Sequence, residues 1–100
     1  MADVNERFSW TDDDKYWQSN YRSRPYASSG SSNYEFYQPG YRYGFEAASR
    51  YEGRNWKDVE TDLQKGWNSF EHRGTSTWEQ MKDAVRDAWD RVAARFASTR

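Results

Sequence analysis

Four tryptophans, Trp56, Trp67, Trp78 and Trp89, stand eleven residues apart, and each is followed three residues on by an apolar side chain, Val59, Phe70, Met81 and Val92. Eleven residues is close to three helical turns, so two such tryptophans within one helix point the same way. Around the last pair, Trp78, Met81, Val85, Ala88, Trp89, Val92 and Phe96 recur at three- and four-residue intervals. That spacing draws one apolar stripe on a helix over 76–96, and Glu79, Lys82, Asp83, Arg86, Asp87, Asp90, Arg91 and Arg95 take the rest of its circumference. Ser76 with Glu79 has the capping-box spacing that satisfies two free backbone N–H groups at a helix start. Asp83 with Arg86, and Asp87 with Arg91, are acid-before-base pairs along its surface.

A second stripe, Trp56, Val59, Leu63, Trp67 and Phe70, lies just upstream, with Asn55 placed to cap it and Gly74 in the link that follows. Two amphipathic helices and an eleven-residue repeat of the kind seen in desiccation-related proteins both fit the spacing. The run His72-Arg73-Gly74-Thr75-Ser76-Thr77 interrupts the register and favours a helical hairpin.

What fills the space between these helices is unusual. Leucine occurs once, at Leu63, isoleucine not at all, and aromatic residues make up 19% of the 100-residue chain. Rings bury much area, but tyrosine and tryptophan each carry a polar atom that needs a partner, so a shallow core with rings reaching its edge is expected. Charged residues make up 31% of the chain and the net charge is −1, with both signs spread along its whole length. No basic face announces nucleic acid or anionic lipid. The absence of cysteine excludes disulfides, thiolate nucleophiles and thiolate metal sites. No apolar run has the length of a signal or a membrane span, and a soluble, cytoplasmic protein without membrane insertion is the expectation.

Upstream of the hairpin, Val4, Phe8 and Trp10 interrupt a polar tail, and Thr11 is placed to cap a short helix to about Arg22, with Asp12, Asp13 and Asp14 in its first turn. The same three acids could hold a divalent cation, but no second cluster of oxygen ligands accompanies them. Ser23-Arg24-Pro25-Tyr26 should end that helix, and Ala27 to Ser32 read as a linker. From Asn33, a possible cap, the rings crowd: Tyr34, Phe36, Tyr37, Tyr41, Tyr43 and Phe45. Pro39 either opens a new helix or interrupts a continuing one. Tyr37, Tyr41, Gly44, Phe45, Ala48 and Tyr51 form a helical stripe, the small residues Gly44, Ala47 and Ala48 allow close approach of a neighbour, and Gly53 is a stop. The expected fold is all-α: a small aromatic-rich bundle of three main helices over 34–97, the third laid against the hairpin. Residues 1–33 would precede it as a flexible part holding a tail, a short helix and a Ser-rich linker.

The residues Tyr41-Arg42-Tyr43-Gly44-Phe45-Glu46-Ala47-Ala48, the Trp56–Trp67 pattern and Ala84-Val85-Arg86-Asp87-Ala88-Trp89 resemble a group of small bacterial proteins, some associated with general-stress proteins of the YsnF/AvaK type. The resemblance spans about Tyr16 to Val92 and includes Tyr16-Trp17 and Arg24-Pro25-Tyr26, its Tyr-Arg-Tyr-Gly element being the most specific part. It implies a bacterial source and a stress-related role, and carries over no catalytic or ligand residue.

His72 is the only histidine and falls at a predicted helix end, and no metalloprotease, phosphate-loop or serine-elbow motif is present. No catalytic residue, metal site or cofactor is therefore expected. Two binding readings remain. In the first, more rings than one core can hide make the chain an interaction protein that forms a homodimer or meets a protein partner. Trp56, Trp67, Trp78 and Trp89 would be its core or interface anchors, with Tyr37, Tyr41, Tyr43 and Phe45 as a second layer. In the second, Arg22, Arg24 and Arg42, interleaved with tyrosines, contact single-stranded nucleic acid. Interfacial membrane binding and condensate formation fit less well, because the helix faces are charge-balanced and the Tyr/Arg/Gly/Ser segment is short.

Overall fold

The computed structural model describes residues 9–28, 33–51, 53–70 and 76–98, without the side chains of Ser28 and 96–98. Val4, Phe8, the Ser/Gly run 29–32, His72 and Gly74 lie outside these. The described residues form an all-α fold: α1 (Trp10–Asn20), a 3-10 turn (Tyr21–Ser23), a short α2 (Pro25–Ser28), α3 (Tyr34–Arg50), α4 (Trp56–Trp67) and α5 (Trp78–Ser98).

The closest-packed pair is α3 and α5 rather than the hairpin α4–α5. The reason is the size of the residues between them. A Cβ added at Gly44 would run into the Val85 carbonyl and come within 2.9 Å of the Ala88 methyl, and one at Gly40 would sit 3.1 Å from the Ala84 methyl. Glycine at these positions lets the two backbones touch, and the large rings flank the seam instead of filling it. Trp67, Tyr41, Leu63, Met81, Val59, Val85 and Val92 are the largest fully buried side chains around it.

The helix ends follow local chemistry, with shifts from the sequence expectation. Ser9, not Thr11, caps α1: its hydroxyl accepts the Thr11 N–H at 3.2 Å. The helix stops at Asn20, two residues early, and its chain turns through the 3-10 segment. Arg24 is extended (φ −83°, ψ 144°), as a residue before proline must be, and Pro25 then opens α2. Asn33 caps α3 through the Phe36 N–H at 3.3 Å, and α3 runs unbroken through Pro39. Asn55 holds the cap position of α4, but its side chain makes no capping hydrogen bond; its carbonyl accepts the Asp58 N–H at 3.0 Å.

The capping box of α5 is one residue further along than expected. Thr77 Oγ1 accepts the Gln80 N–H at 3.3 Å and Gln80 Oε1 accepts the Thr77 N–H at 3.0 Å. Ser76 is left to be buried, and its carbonyl accepts the Trp67 indole N–H at 2.9 Å. Gly53, at φ 87°, turns the chain between α3 and α4 in the left-handed region.

α1, the 3-10 turn and α2 share one core with α3, α4 and α5. Trp17, Tyr21 and Ala27 are buried in it, and Trp10 packs on Phe45 with ring centroids 5.6 Å apart. Packing therefore links the described residues on the two sides of 33/34. Ala27, read as linker, is a core residue for the same reason.

Candidate functional site

All of the expected anchors are buried: Trp56, Trp67, Trp78 and Trp89, and Tyr37, Tyr41, Tyr43 and Phe45. Trp56 stacks on Trp78 at 6.5 Å and meets Trp89 edge-on at 5.8 Å, and these rings join α4 to α5. Tyr43 stands edge-on to Trp67 and donates its hydroxyl to the Leu63 carbonyl at 2.7 Å. One copy of the chain therefore houses, as core, the rings that the sequence offered as core or interface. Among the described residues the only exposed large apolar side chain is Tyr16, at 37%, and the Arg91 guanidinium lies over its ring at 3.5 Å. The expected surplus of aromatic surface is absent there, because α1 and α2 cover the tyrosines of α3.

Three carboxylates fix that cover. Asp13 is 0% exposed and accepts both terminal nitrogens of Arg95 at 2.8 Å, with Arg91 at 3.7 Å. Asp14 accepts the Tyr34 hydroxyl at 2.6 Å and the Gln38 amide at 3.0 Å. The triple-acid run is thus neither only a helix start nor a chelate: two of its members are tertiary clasps. Asp87 is the third. Arg24 grips it through two nitrogens, at 2.7 and 3.0 Å, and the Tyr26 hydroxyl donates to it at 2.6 Å.

The knot around Asp87 extends inward. The Tyr26 and Tyr41 hydroxyls are 2.7 Å apart. Tyr26 has one hydrogen and gives it to the carboxylate, so Tyr41 donates to Tyr26. Fully buried Tyr41 lies parallel to Trp17, with centroids 4.4 Å apart and planes 5° apart. Burial pushes the phenols of Tyr26, Tyr34 and Tyr41 well above their ordinary value, and the carboxylates hydrogen-bonded to Tyr26 and Tyr34 add to this. All three remain neutral donors at neutral pH. The hydrogen bond that Arg24 donates to Asp87 raises Arg24 in turn.

Outward, the knot forms one wall of a groove. A cavity of about 400 Å³ is lined by Arg24, Pro25, Tyr26, Asp83, Arg86 and Asp87. Beside it a cavity of about 210 Å³ is lined by Trp56, Glu60, Lys82, Asp83 and Arg86. Asp83 and Arg86 line both. Arg86 lies over the Trp56 ring at 5.5 Å and reaches Asp90 at 3.6 Å, while Asp83 is exposed and has no ion-pair partner among the described residues. The Asp90 carboxyl is raised by partial burial, against the pull of Arg86.

The three arginines offered to nucleic acid are each engaged within the chain. Arg24 is committed to Asp87, and Arg42 pairs with Glu46 at 3.0 Å. Arg22 bonds the Tyr21 hydroxyl at 3.2 Å and lies over that ring. Of the tyrosines interleaved with them, Tyr21, Tyr41 and Tyr43 are buried, while Tyr26 is half-buried with its hydroxyl bound to Asp87. Sequence reasoning missed Asp13, Asp14, Tyr26 and Asp87 as positioning residues. Asp13 stands four residues before Trp17 on one helix face, which is the one signal that it points inward. Among the described residues no group of acids and histidines is arranged to hold a metal, and no helix is long and apolar enough to cross a membrane. The chain matches no family model, no curated protein and no solved structure.

Proposed function

We propose that this is a non-catalytic interaction protein that pairs with a second copy of itself through the groove along α5, in the stress-related setting its sequence resemblance implies. The observation that carries the reading is the pair Asp83 and Arg86, shared by both cavities. They are opposite charges one turn apart on one helix, and both are exposed. A two-fold axis through such a patch sets Arg86 of one copy against Asp83 of the other and repeats the contact in reverse. Trp56 and Pro25 supply apolar floor beside the charges, as interface centres do. Self-association through free aromatic helix faces is not the reading favoured, because those faces are occupied within one copy.

Native mass by light scattering tests it. The wild type should be a dimer at low salt, and Asp83→Arg, which sets like charges against each other, should be a monomer. The exchange Asp83→Arg with Arg86→Asp should restore the dimer. A wild-type monomer at every concentration and salt refutes the proposal. A monomer whose mass rises only when a short single-stranded oligonucleotide is added at low salt would instead favour the nucleic-acid reading.

A further inference from the structure

The pairing of Trp17 with the Tyr41–Tyr26–Asp87 chain has a use that neither packing nor a protein contact requires. Trp17 is 5% exposed and its indole N–H has no hydrogen-bond acceptor among the described residues. No described residue is placed to take the proton of an indole that loses an electron there. The indole therefore stays a radical cation, a stronger oxidant than the neutral radical. Face to face with it lies Tyr41, whose hydroxyl heads an ordered chain of two hydrogen bonds, 2.7 Å to Tyr26 and 2.6 Å onward to Asp87. An oxidised phenol is a strong acid, so even a carboxylate bound to Arg24 accepts its proton. On the other side, exposed Tyr16 packs edge-on to Trp17 at 4.9 Å, so the run of rings begins at the surface.

We propose that this array is a one-electron trap, which carries an oxidising equivalent from the surface through Trp17 to Tyr41 and holds it there as a tyrosyl radical. The steps balance. A one-electron oxidant such as the azide radical takes an electron and leaves as azide, and Trp17 becomes a radical cation. Trp17 then takes an electron from Tyr41 and returns to its closed-shell form. Together with that electron transfer, the Tyr41 proton moves to the Tyr26 oxygen and the Tyr26 proton moves to Asp87. The products are the Tyr41 radical, neutral Tyr26 and protonated Asp87.

Tyr34 is the competing terminus, since it stacks on Tyr41 at 6.0 Å and donates to Asp14. Tyr43 beside Trp67 is the control: it also pairs a phenol with an indole, but its hydroxyl ends on a carbonyl, which takes no proton.

The test is pulse radiolysis with azide radicals on the intact chain, following the tryptophanyl and tyrosyl absorptions. In the wild type the tryptophanyl signal should convert to tyrosyl at a rate independent of protein concentration and slower in heavy water. Tyr41→Phe keeps the ring stack and should lose most of the conversion. Tyr26→Phe keeps Tyr41 but cuts the proton path and should slow it, while Tyr43→Phe should leave it unchanged. The trap is refuted if Tyr41→Phe converts as the wild type does, or if Tyr34→Phe alone abolishes conversion. Because the reaction is internal to one chain, it should survive dilution of the wild type to the monomer, so failure of the dimer and failure of the trap are read separately.

Discussion

Two helices flank the α3–α5 pair, and they are held by different physics. α4 is held by area: Trp56, Val59, Leu63 and Trp67 are all buried, and the polar ties, Tyr43 to the Leu63 carbonyl and Trp67 to the Ser76 carbonyl, satisfy ring atoms that burial would otherwise orphan. α1 is held by direction. It buries Trp17, but its orientation is set by Asp13 on Arg95, Asp14 on Tyr34 and, through the following turn, Arg24 on Asp87. Area can be satisfied by many orientations, whereas a buried carboxylate is satisfied only by a donor placed to meet it. The lesson is that α4 should tolerate conservative apolar exchange, whereas α1 should fail as soon as one charge loses its partner.

The comparison can be broken at its common base first. Gly44→Val presses a branched side chain into the Val85 carbonyl and should cost at least about 3 kcal/mol, unfolding both flanks together in a thermal melt. One flank at a time comes next. Trp67→Ala should cost about 3–5 kcal/mol, read by urea unfolding, and raise hydrogen exchange in α4 more than in α1. Asp13→Asn leaves Arg95 and Arg91 facing a neutral amide. It should cost about 3 kcal/mol, at the low end for a broken buried pair because both guanidinium groups keep some contact with water, and it should open α1 while α4 stays protected. Equal loss of protection in both helices would remove the distinction.

Alkali loads the α1 side more heavily, with three strongly raised phenols there against Tyr43, also raised by burial, on the α4 side. Tyr26, Tyr34 and Tyr41 have folded-state values raised above the ordinary phenol value of 10.0, so their contribution to stability is intact below that pH and is lost as the pH rises above it, where the unfolded chain ionises first. Stability measured by denaturant should fall above about pH 10. The fall should be shallower in Tyr34→Phe, which removes one such phenol from the α1 side. Smallest of all, Arg42→Ala breaks a half-buried i,i+4 pair with Glu46 at the surface of α3 and should change stability by no more than about 0.5 kcal/mol.

Apolar periodicity made α3, α4 and α5 legible, since a helix must bury its stripe whatever it packs against. The small residues Gly44, Ala47 and Ala48 marked a face for close approach, and at Gly44 the backbones do meet. The misplaced features share another cause. Asp87 was read with Arg91, four residues away, because sequence displays only neighbours; in the fold Arg24, 63 residues distant, meets it with two nitrogens. The capping box moved from Ser76 to Thr77 because Trp67 draws on the Ser76 carbonyl.

The sequence by itself determined that the chain is helical and that its core is made of rings, because periodicity and residue type are local properties. Only the tertiary structure decided that those rings fit within one copy, that residues 9–28 lie over the tyrosines of α3, and which acid meets which base. Those outcomes depend on the distance of closest approach between α3 and α5, and on donors and acceptors that are far apart along the chain.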